Sequence, residues 1–80
     1  MSDLVQLCAV TYGRLLPTLV RSWELPAYFQ DPDDPPYAVV WPRNEWLEGE
    51  SAVVRFFSTL AEAEEAVRRY PTYKDLNAAA

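Results

Sequence analysis

Proline holds φ at about −65° and carries no backbone N–H, so each one limits where a helix or a central strand can run. Seven are spread along this chain of 80 residues, and between them they leave few segments free to be regular. Pro26, Pro32, Pro35 and Pro36 crowd the stretch 24–36 together with Asp31, Asp33 and Asp34. That stretch reads as an extended, partly polyproline II connection over the surface.

Pro36 and Pro42 bracket Tyr37-Ala38-Val39-Val40-Trp41, a run of β-formers that reads as a strand over 37–41. Ala52-Val53-Val54-Arg55-Phe56-Phe57 reads as a second, 52–57, with Ala52, Val54 and Phe56 on one face and Val53, Arg55 and Phe57 on the other. The two are expected to form an antiparallel hairpin, joined through the polar stretch 43–51. Trp46-Leu47 would extend one strand towards a turn at Glu48-Gly49.

Thr59 followed by Glu62 is a capping box, in which the hydroxyl and the carboxylate satisfy each other's free backbone N–H groups. Leu60, Ala63, Val67 and Tyr70 then recur at helical spacing. Glu64–Arg68 and Glu65–Arg69 are i,i+4 pairs in the favourable orientation, and Pro71 ends the run. A helix over 59–70 follows, with 71–80 as a tail or short extra turn.

The first third admits two readings. Leu4, Leu7, Cys8, Thr11, Tyr12, Leu15, Leu16 and Leu19 satisfy the i, i+3, i+4, i+7 template, and Asp3 with Gln6 imitates a capping box. Against a helix stand Gly13 and Pro17, which suit a hairpin of 4–12 with 15–23 turned by Gly13-Arg14 in type II′ geometry. The helix is the preferred reading, although a lone two-stranded sheet is marginal in water. The expected fold is therefore a single α+β domain over 1–80. It comprises a central antiparallel hairpin, the 59–70 helix on one face and an N-terminal helix covering the rest. The alternative is a four-stranded antiparallel meander plus one helix.

Chemistry is sparsely provided for. There is no His, so the commonest general base and transition-metal ligand are both missing. Cys8 is the only cysteine, which rules out an internal disulfide and points to a reducing compartment. Among apolar neighbours it reads as a buried structural thiol. Asp31, Asp33 and Asp34 imitate the opening of a calcium loop, but Pro35 and Pro36 stand where the sharp-turn glycine belongs. Gly13 and Gly49 build no phosphate cradle. Pro32-Asp33-Asp34-Pro35 fits P-x-x-P, with acids where a flanking base would help. No metal, cofactor or catalytic residue is expected, and the chain reads as non-enzymatic.

Twelve acids against seven bases leave a formal charge of −5. That field disfavours direct contact with nucleic acid or anionic lipid and favours a basic protein surface. The bases, Arg14, Arg21, Arg43, Arg55, Arg68, Arg69 and Lys74, look scattered. Aromatic anchors ringed by charge have the composition of a binding hot spot and its rim. Two stretches offer this mixture: Trp46 with Glu45, Glu48 and Glu50, and Tyr28 and Phe29 with Asp31, Asp33 and Asp34. Trp41 is read as core.

The functional expectation is a cytoplasmic, acidic protein-binding module, an inhibitor or adaptor that docks on a basic partner. A sharper version mimics the charge of nucleic acid. Phage anti-CRISPR and other host-takeover proteins share this size and charge, a likeness of composition with no shared motif. The alternative is a structural subunit or homodimer in which another chain completes the short sheet.

Overall fold

The computed structural model describes residues 4–44 and 51–79. Its centre is one strand. Tyr37–Pro42 lies between two antiparallel neighbours, Thr18–Arg21 and Ala52–Phe57, in a three-stranded sheet. A separate two-stranded hairpin, Ala9–Thr11 with Arg14–Leu16, precedes it. In chain order these strands are β1 (Ala9–Thr11), β2 (Arg14–Leu16), β3 (Thr18–Arg21), β4 (Tyr37–Pro42) and β5 (Ala52–Phe57). Helices α1 (Leu60–Arg69) and α2 (Tyr73–Ala78) close the chain. The fold class is α+β, with the hairpin and helix where the residue pattern put them.

Because β4 is covered on both faces, its residues form an unbroken apolar run rather than an alternation. Ala38 and Val40 pack with Val20, Leu15, Leu25, Cys8, Val5 and Leu4. Val39 and Trp41 face the other way, against Ala63 and Ala66 of α1 and Leu76 of α2. Alternation survives in β5, where Ala52, Val54 and Phe56 join the first cluster and Val53 and Phe57 the second.

The hydrogen-bond phase follows from the two bonds that flank β4. Ser22 N–H donates to the Pro36 carbonyl at 2.9 Å, and Arg43 N–H donates to the Ser51 carbonyl at 3.0 Å. Stepping by two through the registers, β4 bonds β3 through Ala38 and Val40, and bonds β5 through Tyr37, Val39 and Trp41. Pro42 therefore extends the strand by one residue instead of stopping it. Its nitrogen points to the β3 side, beyond the start of β3 at Thr18, where no ladder bond is lost.

The N-terminal helix does not form. A single 3-10 turn, Val5–Leu7, is followed by β1, β2 and β3. The helical template was met by coincidence: Leu4, Cys8 and Leu15 are buried, whereas Tyr12 is 98 % exposed. Three causes favour strands. Gly13 weakens a helix, Pro17 ends one, and β4 offers a bare edge that only an extended segment can pair. The hairpin also turns one residue earlier than Gly13-Arg14. Thr11 faces Arg14, so Tyr12-Gly13 is the loop, and φ of 52° and 77° at these residues marks a type I′ turn, not II′. Nor do the strands merge into a four-stranded meander, because Pro17 sits at the corner between the two sheets.

At the other end, the Thr59 hydroxyl accepts the Glu62 N–H at 3.2 Å, as its spacing requires. The ion pair that closes on α1 is Glu65 with Arg68, at i,i+3 and 3.1 Å. The tail proves to be structured. Thr72 caps α2 by accepting the Asp75 N–H, and Leu76 is buried beneath it. Among the described residues, no helix is long and apolar enough to cross a membrane.

Candidate functional site: an acidic aromatic loop

The connection from β3 to β4 is irregular, as its prolines demand, yet closely tied together. At the end of β3, the Arg21 N–H donates to a carboxylate oxygen of Glu24 at 2.8 Å, which turns the chain through a 3-10 turn at Ser22–Glu24. Pro26 opens a second 3-10 turn, Ala27–Phe29, by accepting the Phe29 N–H at 2.9 Å. Gln30 joins the two turns: its amide Nε2 donates to the carbonyls of Trp23 at 3.0 Å and Leu25 at 2.7 Å. Leu25 anchors the loop in the core.

The acids are folded into the same scaffold. A carboxylate oxygen of Asp31 accepts the Asp33 N–H at 2.9 Å, and its backbone carbonyl accepts the Asp34 N–H at 3.0 Å. This is an Asx turn superposed on a β-turn. Among the described residues, no cation forms an ion pair with Asp31, Asp33 or Asp34.

Two rings project from this frame. Tyr28 is 70 % exposed and Trp23 63 %. Phe29 turns inward to the core while keeping its ring 4.7 Å from that of Tyr28, so it supports the site from beneath. The Arg21 guanidinium lies 4.4 Å over the Tyr37 ring and 5.9 Å from that of Trp23. Trp23, Gln30, Asp31, Asp34 and Pro36 border a shallow cleft of about 550 Å³. It offers an aromatic wall and a carboxylate rim, a combination suited to a cationic side chain.

The structure thus ties Asp33 and Asp34 to Asp31 and sets Asp31 and Asp34 on one cleft with Trp23, while Tyr28 and Phe29 pair with each other outside that cleft's lining. Trp46, Glu45, Glu48 and Glu50 lie outside the described residues. Trp23 was not singled out from the sequence. Its available signal was local, a large ring between Arg21 and Glu24 just ahead of Pro26. Trp41 is core, fully buried.

The bases are less scattered than their spacing suggested. Arg14, Arg43 and Lys74 line a second cleft, of about 260 Å³, with Leu15, Pro42 and Tyr73 between them. Arg43 stacks 5.7 Å from the Tyr73 ring. This cleft lies at the C-terminal end of β4, and the acidic loop enters at the N-terminal end.

Cys8 is buried, and desolvation pushes its thiol up to about 11. A protonated, inaccessible sulfur is a poor nucleophile. Among the described residues, no group of His, Cys, Asp or Glu is placed to hold a metal ion. Comparison with protein-family models, with curated proteins and with solved structures found no match.

Proposed function

We propose that this chain acts by binding another protein, as a non-enzymatic acidic module that inhibits or recruits a partner bearing a basic surface. The observation that supports the reading is the loop 22–36, where exposed Trp23 borders a cleft with Asp31 and Asp34 on a hydrogen-bonded frame that also leaves Tyr28 exposed. Large exposed rings are costly to leave in water, and preordered ones lose little entropy on docking. The carboxylates would steer a cationic partner and fix its orientation. In the sharper version of this reading, the partner's basic surface is one that otherwise holds DNA or RNA, and the carboxylates occupy the phosphate positions.

Affinity capture from a source lysate, followed by titration of the captured protein, tests this. Trp23→Ala is expected to weaken binding by about 30-fold or more, the loss typical of a hot-spot aromatic. Asp31→Asn with Asp33→Asn should weaken it further and flatten its salt dependence. Retention of the same proteins at the same affinity by both variants would refute the assignment of this loop. Affinity that is indifferent to salt would remove the charge-mimic version alone.

A further inference from the structure

The three-stranded sheet has two edges, and the described residues protect only one of them. At the β3 edge, the outward Arg21 N–H is taken by the Glu24 carboxylate, and the following turn folds across the strand end. Among the described residues, the β5 edge carries no such device. The phase set by Arg43 and Ser51 directs Val53, Arg55 and Phe57 towards β4, which leaves the N–H and C=O groups of Ala52, Val54 and Phe56 pointing outward. No hydrogen bond from the described residues reaches them. Ala52–Phe57 contains no proline or bulge, and exposed Arg55 is its one charge, so of the usual means by which an edge is made unattractive to other strands it has only that one.

We propose that this edge is the interface of a homodimer, in which β5 pairs antiparallel with β5 of a second copy and Val54 faces Val54 across the two-fold axis. The pattern of outward groups selects the register. Bonding residues must face bonding residues, so even-numbered positions meet even-numbered ones. Two such registers make the fullest use of the strand. One sets Val54 against Phe56 and Arg55 directly against Arg55, which places like charges side by side. The other sets Val54 against Val54 and Ala52 against Phe56, each pair exchanging both backbone bonds, with the small side chain facing the large one. In that register Arg55 lies opposite Val53 of the second copy. Arg55 also borders a groove with Glu62, Glu65 and Arg69 of α1, in which Glu65 is already paired with Arg68, so Glu62 is the carboxylate left to offset Arg55 there.

The two copies form one continuous six-stranded sheet, with both α1 helices on the same side. The acidic loop joins β3 to β4, away from this edge, so the dimer presents two copies of it. The inference stands apart from the loop's assignment: either can fail without the other.

Sedimentation of the full chain from micromolar to submillimolar concentration should give twice the 9.2 kDa of one copy. In Val54→Pro the lost N–H is an outward one, so the β4 ladder survives, and the expected result is a monomer with an unchanged far-ultraviolet circular dichroism spectrum. On wild type, amide exchange should slow with concentration at Ala52, Val54 and Phe56 but not at Val53, Arg55 and Phe57. In a mixture of labelled and unlabelled chains, a cross-copy Hα–Hα contact between Val53 and Arg55 is expected. A monomeric wild type overturns the proposal in favour of a strand from a different protein. A dimer without the alternating protection or the Val53–Arg55 contact overturns it equally.

Discussion

The indole Nε1–H of Trp41 donates to the backbone carbonyl of Tyr70 at 2.7 Å, tying the central strand to the end of α1. The two rings also meet edge to face, with centroids 6.5 Å apart. Tyr70 closes α1 by donating its own N–H to Ala66, so a single residue ends the helix and receives the core tryptophan. Trp41 thereby fastens the end of α1 to the sheet, and Leu76 of α2 fills the same cluster.

Trp41→Phe keeps an aromatic ring there but removes the donor and leaves the Tyr70 carbonyl short of its partner. The lost bond and the cavity together should cost about 2–4 kcal/mol. Urea unfolding followed by circular dichroism measures it. A loss below about 0.5 kcal/mol would mean that the bond is exchanged for water at no net cost.

The raised pKa of Cys8 predicts how stability changes in alkali. The unfolded thiol ionises near 9.0, whereas the folded one holds its proton to about 11. Below 9.0 both states are protonated and the contribution is complete. Between the two values only the unfolded chain releases the proton, so stability falls as pH rises, and above about 11 the loss is complete. Comparison with Cys8→Ala isolates this slope, and the wild type should fall more steeply across that window. At neutral pH, iodoacetamide should label Cys8 at the rate of unfolding, not that of a free thiol.

Tyr12 has a φ of 52° and is almost entirely exposed, so it bears the left-handed strain without any packing in return. Asn accepts this conformation far more readily, and Asn-Gly is the favoured type I′ pair. Tyr12→Asn should stabilise the chain by about 0.5–1 kcal/mol, read as a higher urea midpoint. Gly13→Ala should do the reverse, since its φ of 77° suits glycine even though nothing lies within 4 Å to obstruct a Cβ. If both variants raised the midpoint, the turn assignment would be wrong.

Gln30 secures the loop through two bonds that no other side chain replaces. Gln30→Ala should speed amide exchange across residues 22–36 by about tenfold while leaving β4 and α1 protected. A uniform change over the whole chain would instead make the loop part of the global folding unit.

Helix α1 was legible because its signals are local. Thr59 and Glu62 lie three residues apart, and the hydroxyl finds the N–H through helical geometry alone. Strands β4 and β5 were legible through composition and their proline and turn boundaries. The first third was not. Its apolar spacing satisfied a helical template, while the deciding factor, the bare edge of β4 that Thr18–Arg21 fills, is 16 to 22 residues away along the chain. At the candidate site, the acids of the loop were singled out from the sequence but Trp23, which borders the same cleft as Asp31 and Asp34, was not.

The amino-acid order alone determined the class of the fold, the helix with its caps, the two longest strands and the lack of imidazole chemistry, because each depends on neighbours within a few positions. Tertiary structure decided the strands of the first third, the burial of Cys8, the grouping of Trp23 with Asp31 and Asp34 and of Arg14 with Arg43 and Lys74, and which sheet edge the described residues leave open. Those outcomes depend on pairing and burial between segments distant in the chain, where the closure of a long loop is compensated only once the partners meet.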